Sequence, residues 1–342
     1  MDDIKFMKRC IDLASKGIGN TYPNPLVGSV IVHNNKIIGE GYHAKYGESH
    51  AEVDAIKSVT NKELLKDSTL YVSLEPCNHH GKTPPCSETI INNDIKKIVI
   101  GSRDPNKFVE GNGIKKLQSN GCEVISGVME KECDRLNKRF FTYHKRKRPY
   151  IILKWAESND GFIAPNREKK LKREVFQISG EQSKKISHYW RSEEHAILVG
   201  VQTIIDDDPL LTTRLVSGAN PVRIILDPNQ RILKNSKIFS KDSRTIILSD
   251  QNKKPFLPEN QIINFKSINS ILDSIYNLKI QSILVEGGTR TLNHFLKNNK
   301  WDSIRVFKST KDLKRGIKGP MLDLSKFNKR KIGEDFLYEI ER

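Results

Sequence analysis

Long apolar runs are what this sequence most plainly lacks. Nowhere in its 342 residues is there a stretch approaching the roughly 18–20 apolar side chains that a membrane-crossing helix needs. The opening residues, MDDIKFMKRCIDLASKG, are too acidic and too amphipathic for a secretory leader. Cysteine is sparse and odd in number: Cys10, Cys77, Cys86, Cys122 and Cys133. Five thiols in a chain of this length do not make a disulfide scaffold, and a reducing, cytoplasmic home is the expectation. No internal repeat and no long low-complexity segment is present. Acidic residues are outnumbered, 41 Asp and Glu against 58 Lys and Arg, giving a net charge of +17. Such an excess suits a nucleic-acid partner, a phosphate-bearing substrate or cofactor, or simply a solvated basic surface. Its even spread along the chain favours the last of these.

What is present is α/β patterning in two stretches. Ile4, Met7, Ile11 and Ala14 repeat at helical spacing, and Gly17 can end that helix. VGSVIV (27–32), a turn at Asn34-Asn35 and KIIGEGY read as a hairpin. Helices are predicted from His50 to Val59, from Pro85 to Asn92, over GIKKLQSNG, and as one continuous segment over EKECDRLNKRFFTYHK. TLYVSL (69–74), KKIVIG (96–101) and CEVISGV read as strands. The basic run KRKRP (145–149) ends in proline and is followed by the strand YIILKWA, which places a domain boundary there, between residues 1–146 and 147–342. Beyond it, GEQSKKISHYWRSEE, SINSILDSIYNL and TRTLNHFLKNN read as helices. HAILVG, PVRIIL, RTIILS, QSILVEGG and WDSIRVF read as strands.

The chemistry concentrates in His50-Ala51-Glu52, Glu75-Pro76-Cys77 and Pro84-Pro85-Cys86. A hydrolytic deaminase needs three protein ligands on zinc, an open fourth position for water, and a carboxylate that moves protons without binding the metal. His50 offers a nitrogen and Cys77 and Cys86 offer thiolates. Glu52 follows His50 on the same helical turn, so it can face the water rather than the metal. His50 and Cys86 both fall at predicted helix N-termini, which favour thiolate charge. A structural zinc would instead be closed by a fourth protein ligand, for which His79 and His80 are the candidates. Cys10, Cys122 and Cys133 lie on apolar faces and read as core. The PCxxC spacing of nucleic-acid deaminases is not met, since NHHGKTPP separates the two cysteines. Pro23-Asn24-Pro25 holds an amide on a stiff turn, suited to reading a base edge or serving the turn alone. Lys82 can meet a phosphate.

TYPNPLVGSVIV, GYHAKYGESHAEV, LEPCNHHGKTPPCSETI and GSRDPN together resemble the bifunctional riboflavin-biosynthesis deaminase–reductase family. The resemblance runs from Met1 to the helix near Asn299. It implies a cytidine-deaminase-like three-layer α/β/α domain followed by a dihydrofolate-reductase-like α/β domain. The first would deaminate a diaminopyrimidinone ribosylamino phosphate, and the second would reduce the ribosyl chain of the resulting uracil with NADPH. It implies zinc on His50, Cys77 and Cys86, Glu52 as proton shuttle, and substrate contacts at Asn24, His43, Lys82, Thr83 and Asp104. In the second half LKWAESNDGFIA, HYWRSEEHAILVGVQTIIDDDPLLTTR and LVEGGTRTL carry the likeness. They imply substrate contacts at Arg191, Leu211, Arg214 and Glu286, with Arg191 and Arg214 on the sugar phosphate. They imply cofactor contacts at Lys154, Ala156, Thr203, Asp207, Gly287, Gly288 and Thr289. The partners implied are small molecules, with neither nucleic acid nor membrane, and the oligomeric state is left open, a homo-oligomer included.

Two stretches depart from the family pattern. PNREKKLKREVFQ is longer and more basic than expected, with Gln177 where an aromatic residue normally stands. FKSTKDLKRGIKGP lacks the expected hydrophobic strand and glycine turn, so the last strands are expected to be reduced. Three other readings stay open: a working deaminase with a degenerate reductase domain, a nucleic-acid deaminase whose charge grips phosphates, and a binding protein with a structural zinc. A nucleic-acid deaminase has no use for the Arg191–Arg214 motif or the EGG loop.

Overall fold

Alternation decides the first sheet. In TLYVSL, Leu70 and Val72 enter one buried cluster while Tyr71 enters another, and Ile31 is divided from Val30 and Val32 in the same way. A strand apolar on both faces must be covered on both, and helices do the covering. The computed structural model describes residues 2–78, 84–106, 110–165, 176–250, 260–263 and 267–342, and forms two compact units, Met1–Lys147 and Arg148–Arg342.

The first unit comprises α1 (Asp2–Ser15), β1 (Gly28–His33), β2 (Lys36–Tyr42), α2 (Ala51–Ser58), β3 (Thr69–Leu74), α3 (Cys86–Asn92), β4 (Lys97–Ser102), α4 (Asn112–Ser119), β5 (Glu123–Ser126), α5 (Glu130–Leu136) and α6 (Lys138–Arg146). The sheet order is β2-β1-β3-β4-β5, with β1 antiparallel to its neighbours and β3, β4 and β5 parallel. Helices α2, α3 and α4 cover one face and α1 and α5 the other, giving three layers. Asn34 and Asn35 both take positive φ, 47° and 61°, as a tight hairpin of the primed type requires. Cys10, Cys122 and Cys133 are buried in the two clusters.

The continuous helix expected over 130–145 is in fact two, divided at Asn137. The side chain of Asn137 accepts from the backbone N–H of Leu26 and donates to its carbonyl, each at 2.8 Å. That amide clamp holds the start of β1 to the helical layer, a demand invisible in helical periodicity.

The second unit comprises β6 (Tyr150–Glu157), β7 (Phe162–Ala164), α7 (Glu181–Glu193), β8 (Ala196–Gly200), α8 (Val201–Asp207), β9 (Val222–Leu226), β10 (Thr245–Asp250), β11 (Asn260–Ile263), α9 (Ile268–Asn277), β12 (Ser282–Val285), α10 (Thr289–Lys297), β13 (Ser303–Lys308), β14 (Ile317–Lys318), β15 (Asn328–Ile332) and β16 (Asp335–Glu341). Its large sheet runs β11-β10-β9-β8-β12-β6-β13-β16-β15. The first seven strands in that order are parallel, and the final hairpin is antiparallel. The chain steps from β6 outward through β8 to β11, then returns to insert β12 between β8 and β6. Ligand crevices form at the carboxyl ends of strands around such a reversal. Odd residues of β6 (Ile151, Leu153, Trp155) face the α9–α10 side, while Tyr150 and Ile152 pack with Trp190 and Phe307.

The tail departs from the expectation of reduced strands. β15 and β16 extend the sheet, and β14 pairs with β7. Asp335, at the start of β16, accepts from Gly180 N at 2.7 Å and Ser183 Oγ at 2.5 Å, capping the N-terminus of α7 from a distant part of the chain. Among the described residues no helix is long and apolar enough to cross a membrane.

Candidate active sites

In the first unit β3 ends at Leu74, and the chain turns through Glu75-Pro76-Cys77. His50 is the N-cap of α2 and Cys86 the first residue of α3. The sequence therefore delivers three donors to one point from the ends of three elements. Nδ1 of His50 lies 3.2 Å from Sγ of Cys86 and 3.6 Å from Sγ of Cys77, and the three donor atoms all lie within 4.8 Å of one another. Around a tetrahedral zinc such donors stand about 3.5–3.8 Å apart, so this set fits the ion with little adjustment. Cys86 N donates to Cys77 Sγ at 3.4 Å, and Ser87 N to the Cys77 carbonyl at 3.1 Å, holding the loop on the helix start. Cys86 and His50 hydrogen-bond the Cys77 sulfur and pull its pKa below the ordinary thiol value. Among the described residues no fourth donor joins the cluster. His79, His80, Lys82 and Thr83 lie outside the described residues.

Glu52 is 3% exposed, and burial together with the neighbouring Cys77 pushes its carboxyl up to about 7. A group poised there can both take and return a proton near neutrality. His43 packs edge-on against His50, ring centroids 5.4 Å apart, with its Nε2 3.1 Å from the Asn24 amide nitrogen and its Nδ1 2.9 Å from the Ser49 carbonyl. Burial lowers the His43 pKa and favours the neutral ring. Asp104 is buried and pushed up to about 7 by that burial, and its Oδ1 accepts from Asn106 N at 2.8 Å.

Glu75 has a part that sequence reasoning missed. Its Oε2 accepts from Asp104 N at 3.3 Å and Gly111 N at 3.1 Å; its Oε1 accepts from Gly113 N at 3.0 Å and Ile114 N at 3.3 Å. One buried carboxylate thus ties the Cys77 loop to the Asp104 loop and to the first turn of α4, where the helix dipole favours it. The fit admits only glycine at residue 113, where a Cβ would come within 2.0 Å of the Pro76 carbonyl oxygen. The visible signal was an acidic residue directly after an apolar strand.

In the second unit a cavity of about 1240 Å³ opens over the carboxyl ends of β6, β8, β9 and β12. It is lined by every residue expected there: Lys154, Ala156, Arg191, Thr203, Asp207, Leu211, Arg214, Glu286, Gly287, Gly288 and Thr289. Arg191 grips Glu286 with both arms, Nε to Oε1 at 2.9 Å and Nη2 to Oε2 at 2.7 Å, and Lys154 Nζ stands 3.6 Å from Oε2. Burial opposes the charge on Glu286, but Arg191 and Lys154 outweigh it and hold the carboxyl down at about 2. Burial lowers the Lys154 pKa, with Glu286 opposing. The fork of Arg191 is therefore committed to a carboxylate, and Arg214, lightly held by Thr212 Oγ1 at 3.3 Å, is the less committed cation. The backbone of Leu211 turns through φ 53°, and Leu211 and Arg214 both line the cavity.

At the N-terminus of α10 no side chain caps the backbone, and a Cβ at Gly288 would meet nothing within 4 Å. That bare turn beside the cavity fits the phosphates of a dinucleotide. The Thr289 hydroxyl instead donates to the carbonyl of Lys318 on β14, leaving that position its backbone N–H as donor for a ligand. Helix α8, which carries Thr203 and Asp207, was not foreseen as an element. Gln177 lines the cavity, and the aromatic residue expected in its place is Phe176, one position earlier and also lining it. Residues 166–175, most of the basic insertion, lie outside the described residues.

The profile of the cytidine and deoxycytidylate deaminase zinc-binding region matches residues 1–102, and that of the RibD C-terminal domain matches residues 149–311. The riboflavin biosynthesis protein RibD of Aquifex aeolicus (strain VF5) is 43% identical over 323 residues, covering 92% of this chain and 89% of that protein. RibD of Escherichia coli (strain K12) is 34% identical over 339 residues, covering 93% and 90%. A crystal structure from Thermotoga maritima, described as a diaminohydroxyphosphoribosylaminopyrimidine deaminase/5-amino-6-(5-phosphoribosylamino)uracil reductase, is 40% identical with a TM-score of 0.86, covering 99% of this chain and 98% of that one. RibD of Acinetobacter baumannii, at 28% identity, has a TM-score of 0.88. The two units, with their converging thiolates and their lined cavity, thus place this chain in the RibD family of riboflavin-biosynthesis enzymes, which join a zinc-binding deaminase domain to a reductase domain.

Proposed function

We propose that residues 1–146 hydrolytically deaminate 2,5-diamino-6-(5-phosphoribosylamino)pyrimidin-4(3H)-one. Residues 147–342 then reduce the ribosyl chain of 5-amino-6-(5-phosphoribosylamino)uracil with NADPH. The observation that carries this reading is the convergence of His50, Cys77 and Cys86 with the buried carboxyl of Glu52 beside them. Zinc bound there supplies Lewis acidity toward the water nucleophile. Glu52 takes a proton from the attacking water and delivers protons to the departing ammonia, which its buried place beside the three donors allows. Asn24, His43, Thr83 and Asp104 serve as substrate contacts, and Lys82 meets the phosphate.

In the second unit NADPH supplies the hydride. The bare N-terminus of α10 with Gly287 and Gly288 receives the cofactor's phosphates, and Ala156, Thr203 and Asp207 border its path. Arg214 takes the sugar phosphate, while Arg191 and Lys154 keep Glu286 ionised and oriented toward substrate. Both ligands carry phosphate, which gives the basic balance a use without nucleic acid. Thiolate ligands need reducing surroundings, which supports a cytoplasmic location.

The test is Glu52→Gln. Ammonia release from the diamino substrate is expected to vanish, while NADPH oxidation on the uracil intermediate persists, because the two sites lie in separate units. Loss of both activities in a folded variant would refute the division of labour.

A further inference from the structure

His188 has no role in the chemistry above, yet it stands at its centre. Helix α7 turns Lys184, Ser187, His188 and Arg191 into the cavity. Their spacing, i, i+3, i+4 and i+7, puts them in one stripe along the helix. The inward stripe of a helix packed on a sheet is normally apolar. On α7 Ile186 and Trp190 do that apolar packing, while the stripe that faces the cavity is polar although Ser187 and His188 are buried, a lining suited to a polar ligand.

The neighbours of His188 fix its chemistry. The backbone N–H of Arg214 donates to its Nδ1 at 2.9 Å. A ring nitrogen that accepts carries no proton, so the neutral ring bears its hydrogen on Nε2. Burial, then the charges of Arg191 and Arg214, hold its pKa down at about 4, so the ring stays neutral near pH 7. The same bond orients the loop from Thr212 to Arg214, so the imidazole and the Arg214 side chain approach the cavity as one unit.

We propose that His188 is a further substrate-binding group of the reductase site, donating through Nε2–H to an oxygen of the ribosyl phosphate beside Arg214. The surroundings select an acceptor: Arg191, Arg214 and Lys184 are donors only, and the carboxylate of Glu286 is already taken by Arg191 and Lys154. A neutral donor between cations adds direction where the arginines add charge. The inference rests on the reading of the second unit as a reductase of a ribosyl phosphate.

Two variants separate the two ring nitrogens. In His188→Asn the amide oxygen can replace Nδ1 as acceptor for Arg214 but nothing reaches inward. In His188→Gln the amide nitrogen reaches the place of Nε2 while the loop anchor is lost. For His188→Asn in the full-length enzyme, the KM for the uracil substrate should rise about tenfold, with the NADPH KM unchanged and kcat changed much less. His188→Gln should recover part of that loss. An unchanged substrate KM in His188→Asn overturns the proposal, as does a parallel rise in both KM values, which would report a disturbed loop. Arg214→Ala is measured alongside. If it leaves the substrate KM untouched, the ribosyl-phosphate reading itself fails; if it raises the KM and His188→Asn does not, the His188 contact alone is refuted.

Discussion

The amide nitrogen of Asn24 lies 3.1 Å from Nε2 of His43, and this pairing fixes which atoms of the two side chains donate and which accept. Nδ1 of His43 faces the Ser49 carbonyl at 2.9 Å and must be the protonated nitrogen, so Nε2 accepts from Asn24. The Asn24 Oδ1 is what remains to accept a hydrogen bond from an amino-substituted base. Asn24→Asp removes the donor and sets a carboxylate against a bare ring nitrogen. Deaminase KM is expected to rise at least about tenfold at pH 8. Part of the loss should return as pH falls below about 6.5, where the histidine beside the new carboxylate can take up a proton. Ammonia release followed from pH 5.5 to 8 checks this; a defect of constant size would contradict the assigned tautomer.

Glu75 predicts a different kind of damage. It is not one of the three converging donors, but four backbone N–H groups donate to it. Glu75→Gln turns one acceptor atom into a donor facing donors, and Gly113→Ala drives a methyl into the Pro76 carbonyl. Both variants should release zinc to a chelator faster than the wild type and should weaken deaminase turnover about tenfold or more, with reductase activity intact. Zinc release followed with a chromogenic chelator needs no turnover. Release at the wild-type rate in both variants would show that the α4 contact does not steady the Cys77 loop.

The convergence of His50, Cys77 and Cys86 was legible because each is a distinctive residue type placed by a strand end or a helix start. TLYVSL was legible as a strand, but that both of its faces are covered came only with the structure. Glu75 stands in the same motif yet its part was silent. Its partners are backbone groups 29 to 39 residues away, and an N–H has no residue signature. Asn137 and Asp335 escaped in the same way: each side chain serves the backbone of a remote segment, Leu26 and Gly180 respectively. Phe176 escaped because a shift of one residue defeats a motif while leaving an aromatic ring at the cavity wall. Arg191 was foreseen at the site, but its first partner, Glu286, came only with the structure.

That partner makes the reductase site sensitive to charge removal. Glu286→Gln leaves Lys154 and Arg191 buried without their counter-charge, and breaking such a pair costs about 3–5 kcal/mol. Urea unfolding of the second unit should shift accordingly, and NADPH oxidation should vanish. Replacing the whole cluster, Glu286→Leu with Lys154→Met and Arg191→Met, should recover stability without recovering activity. The pH sign follows from the depressed carboxyl. Glu286 is held at about 2, below its ordinary 4.5, so its contribution is complete above about pH 4.5 and drains away as pH falls toward 2. The wild type should lose stability across that interval more steeply than Glu286→Gln; equal slopes would mean that Glu286 is not held down in the folded state.

The tail makes its own prediction, because Asp335 caps the helix that carries Lys184, His188 and Arg191. Gly180 N and Ser183 Oγ both donate to its Oδ2. Asp335→Ala exposes the first turn of α7 and should cost about 1–2 kcal/mol, read as a lower urea midpoint for the second unit. Ser183→Ala removes one of the two bonds and should cost less. If the two act through one cap, the double variant should be barely worse than Asp335→Ala alone, a coupling that a double-mutant cycle measures directly. Because α7 delivers its stripe to the cavity, the substrate KM of the reductase should rise in Asp335→Ala while ammonia release is unchanged. Additive costs would mean that the tail stabilises the sheet edge rather than the helix, and an unmoved KM would mean that α7 keeps its place without the cap.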